Sequence, residues 1–159
     1  SEPKAVSNDG WEINGCPVNG PKLSAFGNSV GLAWFTAATD EPRVKVAFSE
    51  DGGMNFGEPW VVDEENPLGR VDIFMLDENN ALLSWMKLNQ EDAELRLALI
   101  DISEGILISS VVSELSSTRS TGFPQLEVAG GKVYLAWNQE TSDGKRIKMV
   151  KKDLKEIYP

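Results

Sequence analysis

Four of the five arginines lie in polar stretches between runs of alternating apolar residues, and their side chains are the best candidates for ligand recognition. They are Arg43, Arg70, Arg119 and Arg146. A guanidinium group is planar and presents a fork of N–H donors, so it suits a carboxylate that accepts two parallel hydrogen bonds. Asp72 follows Arg70 in the segment Gly-Arg-Val-Asp. The pattern predicts a site for a small acidic or carbohydrate ligand, with Arg70 and Asp72 as the first candidates and Arg119 as the next.

The alternative interpretation of these arginines is structural. The same stretches carry acidic residues at Asp40, Glu41, Glu64, Glu65, Glu91, Asp92, Glu94, Glu140 and Asp143. Ordinary salt bridges or solvated loop charges would account for the arginines, with Arg70 and Asp72 forming an ion pair along a central tunnel. The sequence leaves both interpretations open.

The composition excludes several classes of site and partner. The chain has 159 residues, a net charge of −10, one cysteine and no histidine. The acidic balance argues against a nucleic-acid or anionic membrane surface. Without histidine, and with Cys16 alone, neither a His-dependent triad nor a cysteine zinc site can form, so no cofactor or metal is expected. No apolar run reaches the ~20 residues of a membrane-spanning helix. The single cysteine suits either redox compartment, so the localisation stays open.

Three similar segments recur along the chain with almost constant spacing. Each contains a small residue followed by tryptophan, at Trp34, Trp85 and Trp137. Eleven residues after each tryptophan comes a basic residue within an apolar alternation, at Lys45, Arg96 and Lys148. Such a period of about fifty residues indicates a repeat architecture.

Each repeat has the pattern of short antiparallel strands. The strands of the first copy are predicted at 21–26, 29–36, 43–49 and 57–63, those of the second at 71–76, 81–87, 94–100 and 106–112, and those of the third at 123–128, 132–138 and 145–151. Gly130-Gly131 is a typical two-residue hairpin turn. Four strands per repeat predict an all-β fold of three four-stranded β-propeller blades, at approximately 20–63, 70–112 and 122–157. The alternative is a β-sandwich whose segments are similar by accident.

The third repeat lacks its fourth strand, and residues 10–14 precede the first repeat as an orphan outer strand. Three blades do not easily close a ring, since propellers typically have four to eight. We therefore expect a homodimer in which the N-terminal strand of one chain completes the third blade of the other, giving a six-bladed ring. A compatible alternative is that the chain is half of a longer propeller.

The turn at 49–56 has a recognisable sequence, Ser-Glu-Asp-Gly-Gly-Met-Asn-Phe. Asp51 can accept hydrogen bonds from the backbone of its own turn, Gly53 can take a positive φ, Ser49 starts the turn and Phe56 fills the blade interior. The segment resembles the Asp box of BNR-repeat, sialidase-like β-propellers. The strings GCPVNGP, AWFTAATDEPRVKVAFSEDGG, GRVD and TGFPQ extend the resemblance, which covers most of residues 11–150.

The resemblance implies a fold more strongly than an activity. In that family the Asp box is structural and remote from the substrate, whereas an arginine cluster binds the carboxylate of the sugar. Catalysis there would need a tyrosine nucleophile, its carboxylate partner and an acid/base aspartate. Tyr134 alternates within a strand and Tyr158 lies at the C-terminal end. No complete catalytic set is therefore expected, and no catalytic residue is assigned.

Three functions remain as hypotheses. The first is a non-catalytic propeller module that binds an acidic or carbohydrate ligand at the front of the ring. The second is a fragment or relative of an exo-sialidase-type glycoside hydrolase, and the third is a protein-interaction scaffold. Release of the leaving group from a fluorogenic sialoside would distinguish the second from the others.

Overall fold

The computed structural model describes residues 2–13, 18–90 and 92–158. Eleven strands form three antiparallel sheets. The first sheet contains β1 (Lys22–Phe26), β2 (Ser29–Thr36), β3 (Arg43–Ser49) and β4 (Trp60–Asp63). The second contains β5 (Pro67–Met75), β6 (Asn80–Asn89), β7 (Asp92–Asp101) and β8 (Gly105–Leu115), and the third β9 (Gln125–Ala129), β10 (Lys132–Thr141) and β11 (Gly144–Asp153). The all-β prediction is confirmed.

Helical structure is confined to short pieces. Two 3-10 turns cover Ala38–Asp40 and Arg119–Thr121, and a single-turn helix, α1, covers Leu154–Ile157. Ile157 is buried, and it anchors the end of the described chain in the core between the second and third sheets. None of the helices in the described residues has the length and apolar character to cross a membrane.

The apolar alternation of the sequence becomes two cores, one on each side of the second sheet. Because successive strand residues point to opposite faces, Leu83 and Trp85 of β6 face the first sheet, whereas Leu82 and Met86 face the third. The first core also contains Val44, and all five of these side chains are almost completely buried. The second sheet is therefore packed on both faces, and the outer two sheets are each packed on one face.

Several strands are longer than the sequence predicts. Strand β5 begins at Pro67 and not at 71, so Arg70 lies inside a strand and not in the preceding loop. The hairpin β6–β7 leaves only 90–91 between its strands, and the hairpin β10–β11 leaves only 142–143. The connections that the predicted strands leave at 88–93 and 139–144 are therefore largely taken up by strand, because cross-strand pairing continues through mainly polar residues. In the first sheet the fourth strand is shorter than predicted and begins at Trp60.

The N-terminal segment lies against the first sheet without joining it. The described residues 10–13 form no strand, and Asn14, the last residue of the predicted orphan strand, lies outside the described residues. The ring of Trp11 packs edge-on against Phe35 with a centroid distance of 5.6 Å. Two residues before Trp11, Asp9 contacts both Trp34 and Lys45. The segment is therefore held by side chains and not by a strand ladder.

Candidate functional site

Strand β5 contains a sharp backbone kink at the position where the sequence places the first candidate residue. Gly69 and Arg70 have φ values of 76° and 51°, and the pairing of β5 with β6 shifts register on both sides of Gly69. Left-handed backbone is costly for a residue with a side chain, so the surrounding contacts must hold Arg70 in place. Asn19 does this, since its Oδ1 accepts the backbone N–H of Arg70 at 2.9 Å and its Nδ2 donates to the carbonyl of Leu68 at 3.1 Å.

The kink directs the Arg70 guanidinium into a half-buried position with no acidic partner among the described residues. Its Nη1 donates to the carbonyl of Thr118 at 3.1 Å and contacts Met86 Sδ at 3.5 Å, and Nη2 donates to the carbonyl of Ser117 at 3.4 Å. Burial alone lowers the pKa of Arg70. An arginine remains charged at neutral pH even so. The contacts with Thr118, Met86 and Ser117 engage Nη1 and Nη2, and a guanidinium carries five N–H donors in all.

Asp72 does not pair with Arg70. Its Oδ2 accepts the backbone N–H of Leu126 from the third sheet at 2.8 Å, and its Oδ1 accepts the N–H of Ile73 at 3.1 Å. Lys22 Nζ of the first sheet lies 3.9 Å from Oδ1. One carboxylate therefore ties the innermost strands of all three sheets together. Asp72 therefore positions these strands relative to one another. Its ion-pair partner is Lys22 and not Arg70.

The other candidate arginines divide into two groups. Arg43 forms ion pairs with Glu41 and, at 3.6 Å, with Glu64. Arg146 lies 3.4 Å from Asp143, three residues away on the same hairpin. For these two residues the structure favours the interpretation as surface ion pairs. Arg119 is exposed and follows directly after Thr118, whose carbonyl binds Arg70, so the structure brings Arg70 and the segment of Arg119 together.

Sequence reasoning did not select Asn19 or Lys22. Lys22 occupies the same strand position as Asp72, since the two pair with Ala33 and Ser84, which immediately precede the repeated tryptophans. Gln125 holds that position in the third sheet. Aligning the inner strands by their partners on β2, β6 and β10 would have revealed this set. Asn19 gives no comparable signal, because its role depends on contacts with residues about fifty positions away.

The Ser49–Phe56 turn lies at the opposite end of the strands. Asp51 Oδ1 accepts the backbone N–H of Asn55 at 2.8 Å, and Ser49 Oγ accepts that of Gly53 at 2.9 Å. Hydrogen bonds from the backbone and side chain of Asn55, and from Ser49, lower the pKa of Asp51 to about 2. Gly53 has φ 82°, and half-buried Phe56 lines a cleft of about 510 Å³ beside the turn. This geometry stabilises the turn and leaves Asp51 fully engaged.

Both tyrosines lie away from the kink. Tyr134 is in the middle of β10, opposite Glu127 and Lys151. The hydroxyl of Tyr158 accepts a hydrogen bond from Asn80 Nδ2 at 3.1 Å, at the start of β6. Neither hydroxyl is placed as a nucleophile beside Arg70. Cys16 lies outside the described residues, and within the described ranges no cluster of three or more His, Cys, Asp or Glu side chains could hold a metal ion.

Comparison with solved structures shows that this architecture is similar to parts of several β-propeller enzymes. A xylan β-1,4-xylosidase from Bacillus halodurans C-125 superposes with a TM-score of 0.60 and 12% identity, over 83% of this chain and 27% of that enzyme. A variant of the NanB sialidase from Streptococcus pneumoniae superposes with a TM-score of 0.52 and 9% identity, over 87% of this chain and 24% of the enzyme. A GH32 β-fructofuranosidase from Bombyx mori gives a TM-score of 0.50 and 19% identity, over 86% and 33%.

At these identities the likeness concerns the fold. Neither protein-family profiles nor curated protein sequences match the chain. The chain spans about a quarter to a third of the length of the solved enzymes. Its three antiparallel sheets are those of a β-propeller-type structure whose structural neighbours hydrolyse glycosidic bonds.

Proposed function

We propose that this chain is a non-catalytic β-propeller module that binds a small carboxylate-bearing ligand, such as an acidic sugar, at the Arg70 kink. The observation that carries the proposal is a half-buried guanidinium without an acidic partner in the described part of a chain of net charge −10. A buried charge is costly unless something compensates it. A carboxylate ligand supplies that compensation, and the strained backbone around Arg70 is typical of functional sites.

The surroundings of Arg70 favour an acidic sugar over a larger anion. The carbonyl oxygens of Ser117 and Thr118 hold one side of the guanidinium, and the second lone pair of the Thr118 carbonyl can accept a ligand hydroxyl group. Exposed Arg119 follows on the same segment and adds a second positive charge. An acidic sugar carries both kinds of group, because its carboxylate matches the arginine fork and its hydroxyls match the carbonyls.

A second candidate function is that of a glycoside hydrolase. It is supported by the structural neighbours and by the fact that the chain covers only part of their length. The positions of Tyr134 and Tyr158 argue against a sialidase-type mechanism within this chain, since neither lies beside Arg70. Incubation with a fluorogenic sialoside tests this candidate. Release of the fluorophore above the uncatalysed rate would favour the hydrolase over the binding module.

The binding proposal is tested by calorimetric titration with N-acetylneuraminic acid and, in parallel, with its methyl ester. The acid should bind, and the ester should bind at least about tenfold more weakly, since a charge-assisted hydrogen bond contributes ~1.5–3 kcal/mol. Arg70→Lys keeps the charge but removes the fork, so it should weaken binding of the acid. Arg43→Lys is the matched control, because Arg43 already has two acidic partners. Equal affinities for acid and ester would contradict the proposal.

A further inference from the structure

The outward face of the third sheet exposes apolar side chains at positions that the other sheets bury. Ile147 and Met149 of β11 are 81% and 62% exposed. The equivalent residues of β3, counted from Lys45 and Lys148, are Val44 and Val46, which are 0% and 1% exposed because the second sheet covers them. The third sheet therefore presents a surface of the kind that a following sheet covers in this fold.

The opposite end of the molecule presents the complementary surface. In the second sheet, Trp85 donates its indole N–H to Asp63 Oδ2 at 2.7 Å, and Asp63 is the last residue of the preceding sheet. In the first sheet, the equivalent Trp34 donates to Asp9 Oδ2, also at 2.7 Å. Asp9 thus occupies the place of the final residue of a preceding sheet, although the described residues before β1 form no strand.

A shared irregularity fixes how such a final strand pairs. Strand β4 pairs with β3 through Val44–Asp63 and Lys45–Val61, so one residue of β4 is skipped between the two pairs. Strand β8 repeats this bulge on β7, with the pairs Leu95–Ser113 and Arg96–Val111. Asp63 and Ser113 are therefore equivalent, and Asp9 matches both through its contact with Trp34.

The outer edge of β11 is the strand edge that lacks such a partner. Strands β3 and β7 are each flanked by a fourth strand, whereas within residues 2–13, 18–90 and 92–158 β11 pairs only with β10. Its ten residues include five bases, Lys145, Arg146, Lys148, Lys151 and Lys152, in a chain of net charge −10. The N-terminal segment around Asp9 carries the acidic residues Glu2, Asp9 and Glu12 against one lysine. A long unpaired edge favours strand addition, and the charges on the two segments are complementary.

We propose that a second copy of this chain occupies this edge and this face. Val6–Asp9 of one copy pairs with β11 of the other, with Asp9 opposite Ile147 and Ser7 opposite Lys148, and the third sheet packs on the first sheet of its partner. Two such identical contacts close a two-fold ring of six sheets. The pairing segment is residues 6–9, a few residues before the 10–14 segment that the sequence pattern indicates. The proposal is independent of ligand binding at Arg70.

The first test is the solution mass of the chain, measured by light scattering over a hundredfold range of concentration. The expected result is a dimer. Ile147→Glu places a charge in the contact and should give a folded monomer, because the Ile147 side chain is 81% exposed in a single chain. Leu107→Glu is the matched control, since Leu107 is 44% exposed on β8 and lies outside the contact. A folded monomer of the unmodified chain, or a dimer that persists in Ile147→Glu, would overturn the proposal.

The second test examines the register directly. Ser7→Cys and Lys148→Cys are combined with Cys16→Ser, which removes the competing thiol. Directly opposed residues on antiparallel strands lie within disulfide reach, so mild oxidation should produce a covalent dimer. The control pairs Ser7→Cys with Lys145→Cys, which is displaced by three residues along β11 and should remain uncrosslinked. Absence of the Ser7–Lys148 crosslink in a folded protein, or equal crosslinking in the control, would overturn this register.

Discussion

Asp9 accepts the indole N–H of Trp34 at 2.7 Å, and it also binds Lys45 Nζ at 2.7 Å. Burial opposes ionisation of Asp9, but hydrogen bonds from Lys45, Trp34 and Ser7, together with the charge of Lys45, outweigh it and lower its pKa. One carboxylate therefore satisfies two donors of the first sheet. Through Asp9, the N-terminal segment contributes to the hydrogen bonding of the first sheet.

Replacement of Asp9 by alanine should destabilise the protein. The indole N–H of Trp34 and the ammonium group of Lys45 would both lose their acceptor, at a cost of ~1–3 kcal/mol. Urea unfolding followed by tryptophan fluorescence measures the change in the free energy of unfolding. Glu12→Ala is the control, because Glu12 is exposed on the same segment. Equal stabilities of the two variants would show that Asp9 contributes nothing of its own.

The third sheet lacks the acceptor that the first two have. Trp137 Nε1 is buried and has no hydrogen-bond partner in the part of the chain that the structure describes, and Ser113 holds the position of Asp63 in the strand register. Ser113→Asp should supply the missing acceptor and stabilise the fold by about 1 kcal/mol. Ser110→Asp adds the same charge to the same strand at an exposed position. The thermal unfolding midpoint should be higher for Ser113→Asp than for Ser110→Asp. A higher midpoint for Ser110→Asp would refute the assignment of Ser113 to the position of Asp63.

The Ser49–Phe56 turn should make stability depend on pH in the acid range. The pKa of Asp51 falls from 3.8 to about 2 on folding. As the pH falls, this carboxylate is therefore protonated in the unfolded chain before it is protonated in the folded chain. The stabilisation is complete above about pH 4 and is lost as the pH falls towards 2. Asp51→Asn should therefore flatten the decline in unfolding free energy between these limits. Urea titrations at several pH values check this, with Glu50→Gln as the control for the removal of a neighbouring charge.

The kink in β5 should tolerate no side chain at Gly69. A Cβ there would lie 2.7 Å from Phe35 Cγ and 2.9 Å from Asn19 Oδ1, and the φ of 76° is itself unfavourable for alanine. Gly52→Ala is the matched control, because Gly52 has φ 73° with no atom within 4 Å of the added Cβ. Left-handed strain alone costs ~1–2 kcal/mol, and overpacking at Gly69 should add ~1–3 kcal/mol.

The same pair of variants separates strain from function. Gly69→Ala should also weaken carboxylate binding, since it displaces Asn19 and with it the backbone of Arg70. Gly52→Ala should leave binding unchanged. Calorimetric titration with N-acetylneuraminic acid provides the measurement, and parallel losses in both variants would indicate a general effect of instability.

The repeat made much of the fold predictable. Apolar alternation around Trp34, Trp85 and Trp137 located the strands, because a half-buried strand must alternate to place one face in a core. The hairpin at Gly130-Gly131 appears between β9 and β10 as its turn residues indicate. Strand ends were less predictable. Polar residues continue the ladders of β6, β7, β10 and β11, and their composition alone does not distinguish them from loop residues.

The sequence by itself determined the three repeats, the all-β class and the position of Arg70 ahead of the inner strand residue Asp72. Tertiary structure alone decided which charges are compensated. Arg43 pairs with Glu41 on its own loop and with Glu64 after β4, Asp72 contacts Lys22 and the backbone N–H of Leu126, and Arg70 has no acidic partner among the described residues. For Lys22 and Asp72 the physical reason is that an ion pair depends on a few ångströms of separation between strands about fifty residues apart, and no local pattern encodes that distance.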